Sequence, residues 1–232
     1  MCPSNQTEVL HLLPETWPII PLLRLTRNSH FRGKLKALAA PEYKATRSSS
    51  NTALMTQLFS PSLISDSVQR ELPEGLVMRP LEPEDLDKGF FECLSQLTVA
   101  HRVPKERFAE VFKELQSRAS TYTLVIEDTK AAKIVGAGTL LLEQKFVRSC
   151  GKAGHIEDIV VHDSQRGRKL GLRIIDALKH IGIKLQCYKI ILNCSESNIK
   201  FYEKCGLKLK DFQMVLYPPE TQPFSAVNRS QL

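Results

Sequence analysis

The run Arg166-Gly167-Arg168-Lys169-Leu170-Gly171 constrains this chain more than any other segment. Ahead of it lies a strand-like apolar run, His155-Ile156-Glu157-Asp158-Ile159-Val160-Val161. Behind it, Leu170, Ile174, Leu178, Ile181 and Leu185 fall on one face of a helix. Strand, short glycine-containing loop and amphipathic helix in succession require a sheet with a helix packed on it, an α/β architecture. Glycine lets a backbone approach a ligand closely, and the first N–H groups of a helix have no intrahelical partner. Arg166, Arg168 and Lys169 add their charge to the positive end of the helix dipole, so the loop suits a phosphate or another anion. It is neither a Walker loop, which needs G-x-x-x-x-G-K-[ST], nor the G-x-G-x-x-G of a dinucleotide fold. A solvated basic turn is the plain alternative, and the loop alone does not choose between the two.

The surrounding pattern supplies the rest of the layer. Leu76-Val77-Met78-Arg79-Pro80-Leu81 alternates like a strand closed by proline. Pro83-Glu84-Asp85-Leu86 opens a helix continued by Phe90, Leu94 and Leu97, and residues 105–118 form a second with Phe108, Val111, Phe112 and Leu115 on its apolar face. Residues 122–127 and 134–142 read as an antiparallel pair around a polar turn. Residues 188–192 read as a buried strand, 198–205 as a short helix and 207–217 as a last strand before Pro218-Pro219. The order β-α-α-β-β-β-α-β-α-β predicts a mixed sheet flanked by helices.

Residues 1–75 read differently, as a disordered basic extension containing Pro3, Pro14, Pro18, Pro21 and Pro41 and the polar run Arg47-Ser48-Ser49-Ser50-Asn51-Thr52. Met55 is a credible alternative start, and 218–232 is expected to be a flexible tail. A net charge of +7 suggests an anionic partner, but no RNA-binding aromatic motif or zinc-finger spacing points to nucleic acid. The longest apolar runs fall far short of the roughly 20 residues a membrane helix needs. The six cysteines contain no C-x-x-C pair, which favours free thiols in a reducing compartment and gives no metal site.

A second element lies downstream, Asn198-Ile199-Lys200-Phe201-Tyr202-Glu203-Lys204-Cys205-Gly206-Leu207. By itself it is a small helix stopped by Gly206. Together with Gln165 to Gly171 it resembles the acetyl-CoA-binding loop and C-terminal motif of the Gcn5-related N-acetyltransferases. Leu94-Ser95-Gln96-Leu97-Thr98, Glu143-Gln144-Lys145-Phe146, Gly154 to Val161 and Cys187 to Leu192 are similar to the branch of that superfamily that acetylates glucosamine 6-phosphate. Lys169, where most of the superfamily has glycine, suits this branch. The resemblance implies an N-acetyltransferase domain over 76–217, with a mixed, mostly antiparallel sheet containing a splayed strand pair.

It also implies an enzyme that moves acetyl from acetyl-CoA to the 2-amino group of glucosamine 6-phosphate, feeding UDP-N-acetylglucosamine synthesis. Asp158, Ile159 and Val160 would pair with the pantetheine chain, Arg166, Gly167, Arg168, Lys169, Leu170 and Gly171 would hold the pyrophosphate, and Asn198, Tyr202 and Lys204 would contact the cofactor. Tyr202 would donate a proton or hydrogen bond to the sulfur, and Glu157 would receive the amine proton. Thr98, Gln144, Lys145, Phe146, Val147, Arg148, Glu157, Asp158 and Asn193 would form the acceptor site, with Lys145 and Arg148 on the phosphate. Two positions depart from the family. Asn193 stands where an acidic residue is usual and cannot act as a base, and Tyr217 stands where some members place a phosphate-contacting arginine. The family further implies a homodimer in the cytoplasm, with room for peripheral association with internal membranes. An acetyltransferase for a protein or polyamine, or a non-catalytic acetyl-CoA-binding regulator, remain the alternatives.

Overall fold

A computed structural model describes residues 56–217. The expectations for 1–55, Met55 included, and for 218–232 lie outside the described residues. The domain begins earlier than position 76. Residues 57–72 carry helix α1 (Asp66–Arg70) and bury Leu58, Phe59, Ile64 and Val68 in the core. Phe59 meets Tyr122 edge-on at 5.4 Å, and the Gln69 side chain accepts from Met78 N at 3.0 Å. The supposed extension is therefore domain from Leu58 onward; prolines and serines masked a segment whose few apolar residues all turn inward.

Strand β1 (Leu76–Pro80) follows, then a 3-10 turn over Pro83–Leu86 and helix α2 (Phe90–Leu94). One continuous helix was expected here. Gly89 breaks it by adopting φ 84°, a left-handed conformation that glycine reaches without a Cβ penalty. Leu86 and Phe90 still reach the core, while Leu97 stays exposed. Helix α3 (Lys105–Arg118) buries Phe108 and Phe112. Strands β2 (Thr121–Asp128) and β3 (Lys133–Gln144) form the expected hairpin, whose turn is fixed by Asp128 Oδ1 accepting from Lys130 N and Ala131 N. A single left-handed turn, α4 (Val147–Cys150), leads to β4 (Lys152–Val161), helix α5 (Leu170–Lys184), β5 (Cys187–Leu192) and α6 (Ile199–Lys204).

The sheet order is β1-β2-β3-β4-β5, antiparallel except for the parallel pair β4–β5 that α5 connects. The α5 stripe is as anticipated: Leu170, Ile174, Leu178 and Ile181 are buried against β3 and β4. β5 was expected to be buried, but it is an edge strand with Tyr188 and Lys189 exposed. Residues 207–217 do not form the sixth strand either. They carry no ladder, and Phe212, Met214 and Leu216 are among the most exposed apolar side chains described. Alternation marks which side chains seek burial; it does not say that a pairing strand exists in the same chain.

Candidate active site

The site forms where two strands run side by side and then part. β4 and β5 pair from Lys152↔Cys187 to Ile156↔Leu192. Just beyond, β4 bulges: Thr139 of β3 faces Glu157 and Ala137 faces Val160, so Asp158 and Ile159 share the space opposite Gly138. Asp158 takes φ 56°, a left-handed conformation disfavoured by its Cβ. The extra residue increases local twist and ends the pairing. Residues 157–161 thus lack a β5 partner among the described residues, leaving backbone N–H and C=O groups for an extended ligand. Gly138 lets α5 cover this bulge closely. A Cβ there would lie 2.5 Å from Ile174 Cγ2 and 2.7 Å from Ile159 Cδ1.

β4 feeds the basic loop through a 3-10 turn over Asp163–Gln165. Gly167 has φ 79°, and Lys169 caps α5 at φ 61° without a side-chain bond to the helix N–H groups. Arg166, Arg168 and Lys169 are exposed, with Arg168 donating to Gln165. Leu170 is buried, so only its backbone can serve a ligand. At Gly171 a Cβ would meet Phe201 Cζ at 3.3 Å, so a small residue here lets α6 approach the start of α5.

α6 supplies the third wall. Tyr202 is half-buried and packs edge-on against Phe201 at 5.0 Å. Burial pushes its phenol upward, helped by the Cys194 and Cys205 thiols and the Glu157 carboxylate, so it stays protonated. The Glu157 contribution places a β4 carboxylate within electrostatic range of this hydroxyl. Among the described residues the hydroxyl has no hydrogen-bond partner. Asn193, Asn198 and Lys204 are exposed.

The residues expected to form the acceptor side, Gln144 to Arg148, lead into α4. Arg148, Ser149 and Cys150 have φ of 57°, 54° and 59°, three successive residues in a conformation that costs roughly 1–2 kcal/mol each. Gln144 holds this turn by donating from Nε2 to Cys150 O at 2.6 Å, so its amide is engaged by the backbone. Arg148 sits 5.9 Å from the Tyr188 ring centroid, and Lys189 Nζ sits at the same distance. Lys145 is paired with Glu143, which also takes His155 Nε2 at 2.9 Å. These two partners hold the Glu143 carboxyl below its usual range, Lys145 first. Phe146 and Val147 are exposed at the tip. The fold thus gathers Arg148 and Lys189 around Tyr188, while Lys145 is held by Glu143. Thr98 lies exposed beyond α2, and no hydrogen bond joins its hydroxyl to the other acceptor candidates.

Sequence reasoning missed Tyr188, Lys189, Glu143 and His155. An aromatic and a lysine in an expected buried strand carried no signal until that strand proved to be an edge.

A parted strand pair, a bulge at Asp158 and an open helix N-terminus after a basic loop agree with the comparisons. The acetyltransferase (GNAT) family profile matches residues 85–207. The chain belongs to that family. Glucosamine 6-phosphate N-acetyltransferase 1 of Dictyostelium discoideum is 52% identical over 147 residues, 63% of this chain and 93% of that protein. The Candida albicans glucosamine 6-phosphate N-acetyltransferase is 39% identical over 144 residues, 62% of this chain and 97% of that protein. The crystal structure of the Arabidopsis thaliana glucosamine-6-phosphate N-acetyltransferase matches this GNAT domain with a TM-score of 0.61 at 44% identity, covering 62% of this chain and 99% of that one. The likeness drawn from the loop and the α6 segment therefore holds to the level of the branch.

Proposed function

We propose that this GNAT domain transfers acetyl from acetyl-CoA to the 2-amino group of D-glucosamine 6-phosphate, giving N-acetylglucosamine 6-phosphate and CoA. The observation that carries the reading is one continuous track: the unpaired β4 edge at 157–161 leads to the open N-terminus of α5, with the free Tyr202 hydroxyl beside it. Pantetheine pairs with the edge at Asp158, Ile159 and Val160. The pyrophosphate takes the backbone N–H groups of residues 166–171 with Arg166, Arg168 and Lys169 around it. Asn198 and Lys204 close on the cofactor.

The amine attacks the thioester carbonyl, a C–N bond forms and the C–S bond breaks. A β4 N–H stabilises the oxyanion, Tyr202 protonates the leaving thiolate, and Glu157 takes the amine proton directly or through water. Asn193 orients the amine without acting as a base. Lys145 and Arg148, joined by Lys189 at the Tyr188 ring, bind the sugar phosphate, and Thr98 contacts the sugar. Gln144 shapes this wall through α4, and Phe146 and Val147 cover it. Among the described residues no helix is long and apolar enough to cross a membrane. The five described cysteines are free thiols, which suits a reducing, cytoplasmic setting. The open β5 edge and the exposed apolar run Leu209 to Tyr217 support a homodimer in which a second copy covers both.

Thiol release from acetyl-CoA with a panel of amines tests the reading. Turnover is expected with glucosamine 6-phosphate and little with glucosamine. Equal or better turnover with glucosamine, a polyamine or a lysine peptide would replace it with another acetyltransferase, and no turnover with any amine would favour a regulatory binder.

A further inference from the structure

The turn that enters the pyrophosphate loop is held from outside at three points: His162 N donates to Val135 O of β3 at 2.9 Å, and two further contacts come from α2 and the residues that continue it. Gln96 Oε1 accepts from Asp163 N at 2.8 Å. One helical turn earlier, Cys93, fully buried, meets the backbone of His162 with its sulfur. Burial lifts this thiol to about 11, so it is an inert packing group and no nucleophile. The other turn and side-chain hydrogen bonds of residues 163–168 are local: Gln165 N to His162 O, Arg166 N to Asp163 O, Ser164 N and Oγ with His162 Nδ1, and Arg168 to Gln165. Among the described residues, the Gln96 bond is the hydrogen bond that ties this stretch to another element. On a further side the turn borders a cleft of about 330 Å³, which Glu92, Lys133, His162, Ser164 and Gln165 help to line.

Gln96 lies two residues before Thr98, on the segment that the proposed function assigns to the acceptor sugar. Asp163 lies three residues before Arg166, where the donor loop begins. Resting on that reading, we propose that Gln96 is a positioning residue that joins the two substrate sites. Its amide sets the height of the donor loop and, reciprocally, the placement of the Thr98 segment. Seating coenzyme A on the loop fixes Asp163, Asp163 fixes Gln96, and the sugar meets a pre-placed Thr98. Coupling of this kind acts equally in both directions.

Calorimetric titration of coenzyme A, with and without saturating glucosamine 6-phosphate, tests it in the full chain. The parent is expected to bind coenzyme A of order tenfold more tightly when the sugar is present. In Gln96→Leu, which keeps bulk but has no acceptor, coenzyme A alone is expected to bind roughly fivefold more weakly. The sugar-induced gain falls below about twofold, and KM for the sugar rises while kcat at saturation stays within about twofold. Gln96→Glu, which can still accept from Asp163 N–H, restores most of the gain. A parent with no coupling, a Leu variant with the parent's coupling, or Leu and Glu variants impaired alike would each overturn the proposal. If the parent neither binds nor acetylates glucosamine 6-phosphate, the failure belongs to the proposed function. In that case an unchanged affinity of Gln96→Leu for coenzyme A alone still sinks the positioning role.

Discussion

Two charged clusters sit at opposite ends of this sheet and are treated in opposite ways. At the β1–β2 end, Arg79 donates to Asp85 at 2.8 and 2.6 Å and to Glu127 at 3.0 and 2.6 Å, while Lys88 reaches Glu127 at 2.9 Å. Asp85 is 0% exposed and also accepts from Glu82 N. Burial opposes the Arg79 charge, yet the hydrogen bonds it donates to Asp85 and Glu127 hold it more firmly protonated than a free arginine. At the β4–β5 end, Arg166, Arg168 and Lys169 have no acidic partner among the described residues; the nearby ion pairs run through Arg173 and Lys179 instead. Left-handed residues crowd this end at 148–150, 158, 167 and 169. Charge neutralised inside the protein fixes geometry, whereas charge left unneutralised at the surface remains free for a ligand.

Breaking the buried cluster should have the largest effect on stability. Asp85→Ala strands Arg79 beside a shortened partner set and is expected to lower the free energy of urea unfolding by about 3–5 kcal/mol. A loss below about 1 kcal/mol would mean that the cluster is dispensable. The same cluster shapes the acid limb. For Glu127, burial pushes the carboxyl up, but hydrogen bonds from Lys88 and Arg79 outweigh it and the net direction is down. Its folded pKa lies below the unfolded value of roughly 4.3, so the unfolded chain binds more protons in that range. The stabilisation is complete above that value and is lost as pH falls through the folded pKa. Melting temperatures between about pH 3 and 5 should decline less steeply in Glu127→Gln; an identical slope would remove Glu127 from the acid response.

The open end should answer in rate and affinity more than in stability. Tyr202→Phe removes a hydroxyl with no protein partner among the described residues. We expect kcat to fall about 10²-fold with KM for acetyl-CoA within about twofold and an unchanged melting temperature. An unaltered kcat would take Tyr202 out of proton transfer. The smallest effect is expected at Lys169, whose φ of 61° disfavours a side chain. Lys169→Gly should gain about 1 kcal/mol of stability while raising KM for acetyl-CoA roughly threefold through loss of one cation. A loss of stability would show that the lysine makes compensating contacts.

Much of this molecule was legible in the chain. The α5 stripe, the β2–β3 hairpin, α3 and the strand–loop–helix junction all have strong periodicity and sharp punctuation, so local physics and tertiary packing agree. Errors fell where tertiary context overrides pattern. Leu58, Phe59, Ile64 and Val68 lie in a segment whose prolines and serines suggested disorder. Gly89 interrupts a helix that apolar spacing alone would continue. Residues 188–192 and 207–217 have strand-like composition, but burial of the first and pairing of the second depend on what lies alongside.

The resemblance to a known family singled out Tyr202 and Lys169, while the sequence by itself determined an α/β layer with a basic glycine loop at a helix start. Backbone propensity, periodicity and turn chemistry are local properties, and they suffice for that. The tertiary structure alone decided that β4 bulges at Asp158, at the point where the expected splayed pair parts. It also decided that Tyr188 collects Arg148 and Lys189, and that Gln96 reaches Asp163. Each of these depends on which residue stands opposite another across a strand or turn, a relation fixed only when distant segments pack.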